Sequence, residues 1–290
     1  MSVLSLCTVF TLIAASHQYS YSSRCNSTYF DVSNIGIVGA NRLRLAVRTS
    51  SSLLITIRVS GIACEAFTPN STIFVRSMSS DVTVFFDVYT KWEFKFIQHI
   101  MTSDPLRILD LGGNCGMTAK YFASFYPESK VVVVEPDPKN YKILRLNTAH
   151  LPNVFAEHGS VGIESNMTFA AVQHNKAGHW GTGVVPSGVV SESVVPILTI
   201  PFIMAKFSWQ SLDYVKIDIE GSERGMCSQL LKGDSGWLHK LVGCLSIELH
   251  DRKAPQERQQ QTKTCYAAFQ RHHLRFTGKF GELDTWCKQP

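Results

Sequence analysis

Arg107-Ile-Leu-Asp-Leu-Gly-Gly-Asn-Cys-Gly116 is an apolar run that ends in an acid and then breaks into glycines. Ile108, Leu109 and Leu111 suit a short strand covered on both faces. Gly112, Gly113 and Gly116 allow a sharp turn and a close approach, because no Cβ stands in the way. Met117 to Ser124 reads as a helix whose amide end can receive a polar ligand. Asp110, at the tip of a hydrophobic strand, costs stability unless it finds a partner. A strand, glycine turn and helix in this order place a ligand at the carboxyl edge of an open α/β sheet. Similar turns also serve as plain connections, so the rest of the chain decides between the two.

Downstream the chain alternates regularly. Lys130–Glu135 reads as a second buried strand, again ending in an acid, and Pro138 to Ala149 as a helix with Pro138 in its first turn. Val154–His158 is a third strand. Asn166 to Thr199 reads as a hairpin-like insertion and Ile200 to Phe207 as a short helix. Tyr214–Ile219 is the fourth strand, Ser222 to Leu231 its helix, and Leu241 to Leu249 the fifth strand. Gln256 to His272 forms a helix, followed by weaker strands near Leu274 to Thr277 and Leu283 to Cys287. Strands alternating with helices predict a mostly parallel, doubly wound α/β sheet. Upstream, Tyr29 to about Tyr89 has a β-like texture, with Leu53–Val59 and Val82–Val88 as expected strands. A lead-in helix is expected over Lys91 to Met101. The predicted organisation is a leader over 1–24, a small β-rich region over 25–100, and the main domain over 101–290.

Met1 to Ala15 is almost wholly apolar or small. It is too short for a membrane span, which needs roughly 20 residues. It fits the core of a secretory signal peptide, with Ala14, Ala15 and Ser16 near a cleavage point; because the basic n-region is absent, a truncated membrane anchor is the alternative. A tail or strand is the plainer option. Sequons at Asn26, Asn70 and Asn166 lean toward a lumenal address. The expected location is the secretory lumen or a membrane surface reached through the N-terminus, with cytoplasm as the alternative. Eight cysteines, without any Cys-x-x-Cys, argue against a structural zinc site. The expected pairs are Cys25 with Cys64 and Cys265 with Cys287. The net charge of +5 comes from scattered basic residues, so no nucleic-acid surface is expected.

Three acid-tipped strands carry the chemistry. Glu135, after the second strand, is placed to accept both hydroxyls of a ribose. A nicotinamide cofactor would explain that acid as well, but Gly-x-Gly-x-x-Gly fails from either Gly112 or Gly113. The pattern that stands is Asp-x-Gly-x-Asn-x-Gly. In Asp213-Tyr-Val-Lys-Ile-Asp-Ile-Glu-Gly-Ser-Glu223, alternation puts Lys216, Asp218 and the strand end at Glu220 on one side. A Lys and two acids there are costly unless they pair with one another or meet a ligand. A structural ion cluster is the plainer reading.

The first pattern resembles the opening motif of class I S-adenosylmethionine-dependent methyltransferases, and Lys-x-Asp-x-Glu-Gly-x-Glu resembles the signature of their FkbM family. Arg76 to Asp81, Trp92-Glu-Phe94, Gly159-Ser-Val-Gly162 and Ser246-Ile-Glu-Leu-His250 extend the likeness from about Arg76 to the C-terminus. Phe94 stands where tyrosine is usual, and Thr199-Ile-Pro201 where an acid often follows. The resemblance implies a Rossmann-like class I methyltransferase fold, a mostly parallel seven-stranded sheet with helices on both faces. It also implies S-adenosyl-L-methionine as cofactor, met by Asp110, Gly112, Gly113, Asn114, Gly116, Glu135 and Ser160. The reaction implied is methyl transfer to a hydroxyl of a sugar, glycolipid or small metabolite.

In that setting the expected catalytic residues are Asp218, His250, Lys216 and Glu220. Asp218 and His250 are the candidate bases, and His250 has the more suitable unperturbed pKa; a loop-capping surface histidine is the plainer option. Glu220 and Glu248 would orient the acceptor, or with Asp218 hold a divalent cation. No metal is expected, because oxygen clusters are not diagnostic. His179, Trp180 and Trp209 are expected to wall the acceptor pocket. Competing readings are an oxidoreductase with a nucleotide cofactor and a secreted, non-catalytic binding module.

Overall fold

The computed structural model describes residues 29–33, 54–60, 72–76, 79–89, 94–102, 104–162, 169–174, 182–186, 193–233, 236–250 and 255–288. The leader, the three sequons, Cys25 with Cys64, and His179 with Trp180 lie outside these residues. Two units meet in sequence at Ser79 and Ser80. The first holds an antiparallel sheet of β1 (Tyr29–Ser33), β2 (Leu54–Ser60) and β3 (Thr72–Arg76), in that order.

The second unit begins with α1 (Asp81–Tyr89) and α2 (Lys95–Ile100). Val82–Val88 was expected to be a strand on its β-branched and aromatic content, and it is helical. Period decides against composition here. Phe85, Val88 and Tyr89 fall on one face and are buried. The Tyr89 hydroxyl donates to the Met117 carbonyl at 3.2 Å. Phe94 packs its buried ring on Phe122 at 5.2 Å.

The main sheet uses β4 (Arg107–Leu111), β5 (Lys130–Glu135), β6 (Val154–His158), β11 (Leu212–Ile217), β12 (Leu241–Glu248), β13 (Leu274–Phe280) and β14 (Leu283–Lys288). Their order is β13-β14-β12-β11-β4-β5-β6. β14 pairs antiparallel with both its neighbours, and the remaining pairings are parallel. The Rossmann-like expectation therefore holds. From β4 the chain steps outward to β6, then returns to lay β11 on the other side of β4. That reversal opens a crevice at the carboxyl ends of β4 and β11.

Helices α3 (Met117–Phe125) and α4 (Pro138–Thr148) cover one face; Tyr214 meets Phe122 of α3 at 5.2 Å. The other face buries Leu109, Val132, Val215 and Leu245 with residues of α5 (Ile200–Lys206), α6 (Glu223–Lys232) and α7 (Pro255–Arg271). Burial on both faces is why these strands read as unbroken apolar runs. The insertion forms a second sheet from β7 (Ser160–Val161), β8 (Phe169–His174), β9 (Thr182–Pro186) and β10 (Ser193–Leu198), in the order β7-β10-β8-β9. Thr199, where the family often continues toward an acid, caps α5 by accepting from the Phe202 amide at 3.2 Å.

The disulfides differ from expectation. Cys265 joins Cys227, linking α7 to α6, and Cys287 joins Cys244, its direct partner across β14 and β12. Cys265 faces a helix and Cys287 a strand, so the expected Cys265–Cys287 bridge is ruled out by which element each one packs on. Trp209, expected at a pocket wall, is 6% exposed within the core beside Phe207. Among the described residues no helix is long and apolar enough to cross a membrane.

Candidate active site

The glycine turn leaves β4 at Leu111. Gly112 and Gly113 both donate to the Val134 carbonyl, at 3.0 and 2.9 Å, folding the turn back onto β5. Gly112 has φ +86°, and a Cβ there would overlap the Asp218 carbonyl oxygen. A Cβ on Gly113 would overlap the Val133 side chain. These glycines were expected to admit a ligand; the atoms that occupy the Cβ positions belong to the protein, and the glycines let β11 and β5 close on the turn. Gly116, at φ +84°, starts α3 with the left-handed conformation that favours glycine.

Glu135 ends β5 and is 4% exposed. Its Oε2 accepts from the Asn114 amide at 2.7 Å and its Oε1 from the Asp137 amide at 2.8 Å. Burial raises its pKa to about 8 against the lowering effect of these amides. Asn140 Nδ2 also donates to Oε1, at 3.4 Å; Glu135 thus braces the turn and keeps acceptor capacity on Oε2 beyond the Asn114 bond. Two other acceptors nearby lack donors: neither Asp110 Oδ2 nor Asn114 Oδ1 accepts a hydrogen bond among the described residues, and both are buried. Ser160 is buried in β7, paired with Ile197, and among the described residues no hydrogen bond or ion pair joins it to this group.

Lys216 and Asp110 are register partners on β11 and β4. The Lys216 ammonium lies 3.2 Å from Asp110 Oδ1 and 3.1 Å from Asp218 Oδ2, and donates to the Gly112 carbonyl at 2.9 Å. Burial works against its charge, but Asp110 and Asp218 outweigh that and raise its pKa. Burial in turn raises the pKa of Asp110 despite Lys216. Lys216, expected in the catalytic set, is placed by these contacts as a positioning group. It ties the turn to Asp218.

β11 stops at Ile217, so Glu220 does not reach the site by strand alternation as expected; a left-handed backbone at φ +55° brings it there. His250 lies two residues past β12. Its Nε2 is 3.1 Å from Glu248 Oε1, 3.5 Å from Glu220 Oε1 and 3.7 Å from Asp218 Oδ1. Its Nδ1 meets Glu223 Oε1 at 3.1 Å. Burial lowers the pKa of His250, but Glu223, Glu248 and Asp218 overcome it and push it up to about 11. Of the two candidate bases, Asp218 and His250, the second is ringed by carboxylates that favour its charged form. Burial raises the pKa of Glu248, with His250 acting the other way.

Glu223 had no role assigned from the sequence. It is fully buried, accepts from the Ile219 and Gly221 amides at 2.8 Å each, and so fixes the loop between β11 and α6 while holding His250. An acid in the first turn of a helix was the available signal. Its bond to His250 could not be read, because it joins residues 27 positions apart.

A family model described as the methyltransferase FkbM domain matches residues 110–287, more than half of the chain. The chain belongs to this family. The FkbM match thus spans the glycine turn, the charged end of β11 and the Glu-x-His end of β12. No curated protein matches the chain. Among solved structures it is similar to the Methanococcus jannaschii fibrillarin pre-rRNA processing protein, at 15% identity over 63% of this chain and 66% of that one, TM-score 0.38. Aeropyrum pernix fibrillarin with natively bound S-adenosyl-L-methionine gives 13% identity, 64% and 66% coverage, and TM-score 0.36. A SAM-dependent methyltransferase from Aquifex aeolicus gives 11% identity, 71% and 97% coverage, and TM-score 0.38. The chain spans just under two thirds of the length of the two fibrillarins.

Proposed function

We propose that this FkbM methyltransferase takes its methyl group from S-adenosyl-L-methionine and places it on a hydroxyl oxygen of a sugar, glycolipid or small metabolite. One observation carries the reading: Lys216 bonds at once to the Gly112 carbonyl of the turn and to Asp218. It thereby fixes the distance between a donor half and a reacting half. The residues fit the donor. The unserved Asp110 Oδ2 and Asn114 Oδ1 suit an amino-acid ammonium, and the spare acceptor sites of Glu135 suit ribose hydroxyls. Bound there, the cofactor supplies a methyl group on a sulfonium, open to in-line attack.

The chain's own part is to orient an acceptor hydroxyl and to receive its proton. Asp218 faces the crevice with a side chain 25% exposed, and Lys216 pins one of its oxygens. Its other oxygen lies toward His250, which stays charged and so lowers the cost of gathering Asp218, Glu220 and Glu248 in one place. Holding the acceptor against the donor supplies much of the rate, and the proton leaves to the carboxylate cluster, Asp218 foremost. Ser160 stands as a donor-side residue on the family resemblance alone.

The address is part of the proposal. Two disulfides among the described residues, the apolar leader and the sequons together favour an oxidising lumen. There, secreted or membrane-bound glycans are at hand as acceptors. Incubation of the full chain with methyl-labelled donor and lumenal glycan fractions tests it. Label in a base-stable ether supports the reading; donor binding with no label in any fraction favours a binding module instead.

A further inference from the structure

A Cβ on Gly116 would stand 3.1 Å from the Leu144 Cα, so α4 lies directly against the glycine turn. The last turn of α4 is then tied to that region twice. The Asn147 side-chain amide donates to the Cys115 carbonyl at 2.9 Å. The Asn147 carbonyl accepts from the Lys120 ammonium at 3.4 Å, and His150 Nε2 lies 3.1 Å from the same ammonium. An ammonium only donates, so His150 Nε2 is the acceptor there. Lys120 stands in the first turn of α3, and its own amide donates to the Gly116 carbonyl at 3.0 Å. Asn147 is fully buried and Lys120 is 1% exposed.

A buried lysine is costly unless something answers its charge. Among the described residues no acid pairs with Lys120, and burial lowers its pKa to about 8. The helix end supplies what an acid would. The Asn147 carbonyl is one of the last four of α4, which lack partners inside the helix and carry the negative end of its dipole. Lys120 therefore caps α4 from a neighbouring helix, with His150, just past α4, as its second acceptor. The cap fixes the last turn of α4, and with it the point from which Asn147 reaches Cys115.

The turn held in this way is one that needs holding. Gly112, Asn114 and Gly116 have φ of +86°, +48° and +84°. Two of them are glycines. Asn114 is not, and such a residue keeps a left-handed backbone only where its surroundings fix it. Glu135 fixes one side by accepting from the Asn114 amide at 2.7 Å. Asn147 fixes the other through the Cys115 carbonyl. Between these two ties Asn114 Oδ1 stays buried without a donor. We propose that Asn147 and Lys120 are positioning residues for the methyl donor, a strut that keeps Asn114 in the form that presents Oδ1 to it. That role rests on the methyl-donor reading; the hold on the turn does not.

The test compares the full-length wild type with Asn147→Ala and Lys120→Met, by S-adenosylhomocysteine calorimetry and by amide exchange of the ligand-free chain. In both variants the Asn114 and Gly116 amides, bonded to Glu135 and Gly113, should exchange faster, while those of β11 and β12 should not. S-adenosylhomocysteine affinity should fall by about tenfold, the worth of one buried hydrogen bond. A merely structural role would lower stability without acting through Asn114. In an Asn114→Ala background, therefore, Asn147→Ala should weaken binding by less than about twofold. Asn147→Asp, which keeps the shape and removes the amide donor, replaces Asn147→Ala if that variant does not fold. Glu157→Gln, in a surface ion pair with Lys206, should change nothing. The proposal is overturned if both variants bind S-adenosylhomocysteine as the wild type does, or if the loss is the same with and without Asn114. A wild type that binds no S-adenosylhomocysteine, while the turn amides quicken in the variants, breaks the methyl-donor reading and keeps the strut. Turn amides that exchange alike in wild type and variants overturn the strut itself.

Discussion

The two halves of the crevice are built from different material. On the β4–β5 side the contacts run through main chain. Gly112 and Gly113 donate to Val134, Asn114 and Asp137 donate to Glu135, and the Cβ positions of the glycines are filled by protein. On the β11–β12 side they run between charged side chains, from Lys216 through Asp218 to His250 and its carboxylates. The first half presents main-chain amides and a single carboxylate, which suits a cofactor held in one fixed place. Side-chain contacts depend on identity, so the second half is where one reaction is told from another. Lys216 belongs to both halves, which makes it the place to test whether they are separable.

The sharpest break between the halves should come from Asp218→Asn. If the β11 side does the chemistry, turnover falls by about 10²–10⁴-fold, the usual worth of a positioned acid or base. S-adenosylhomocysteine affinity should stay within a few-fold by calorimetry. A collapse of that affinity would move Asp218 into the donor half and undo the division. Lys216→Met should act on both halves at once. It leaves Asp110 buried without a counter-ion, at a cost of about 3–5 kcal/mol in chemical denaturation. It should also weaken donor binding and turnover together, because the turn and Asp218 lose their common tie. Loss of stability without loss of donor affinity would mean the halves are held by something else.

Much of this was legible in the sequence, and the reasons are local. Strands buried on both faces announce themselves as runs such as Lys130–Glu135, and the acids at their tips mark the carboxyl edge. Period-two alternation placed Lys216 beside Asp218, and their contact at 3.1 Å follows from it. What stayed hidden depends on distances between remote segments. Val82–Val88 has strand composition but packs as a helix. Trp209 has the look of a binding aromatic and sits in the core. The four carboxylates around His250 come from segments the motif spacing does not bring together, and Glu223 was only the last letter of a motif until both its oxygens were seen at work. The Cys265–Cys287 pairing failed for the same cause, since only the element each residue packs on decides its partner.

The disulfides sharpen the comparison at a middle scale. Both bridges lie on the β11–β12 side of the sheet, at Cys227–Cys265 and Cys244–Cys287. Cys244→Ser with Cys287→Ser opens a loop of separation 43, worth ~4 kcal/mol in the chain-entropy picture. Amide exchange should quicken most in β12 and β14, next to Glu248, and least in β4 and β5. Equal loss of protection on both sides would show that the bridge stabilises the sheet as a whole and has no special tie to the charged half.

The smallest expected effect concerns Glu135, and it asks whether the main-chain half also carries a functional charge. Its folded-state pKa, about 8, lies above the ordinary carboxylate value of 4.5, with burial as the main cause. A group raised in the folded state contributes stability that is complete below the unfolded pKa and is lost as pH rises through the folded one. Between pH 6 and 7 the unfolded chain carries Glu135 ionised while the folded chain keeps its proton, so stability should fall by about 1 kcal/mol over that step. Glu135→Gln removes the titrating group and should flatten this slope in urea denaturation. Donor binding should show the opposite trend. Ribose hydroxyls donate, and they favour the carboxylate over the carboxyl; hence S-adenosylhomocysteine should bind the wild type more tightly at pH 8 than at pH 6 and release a proton less at the higher pH. In Glu135→Gln both the gain and the proton release should vanish. If the affinity is flat with pH in the wild type as well, Glu135 is a brace for the turn and nothing more, and the donor half would then be held by main chain alone.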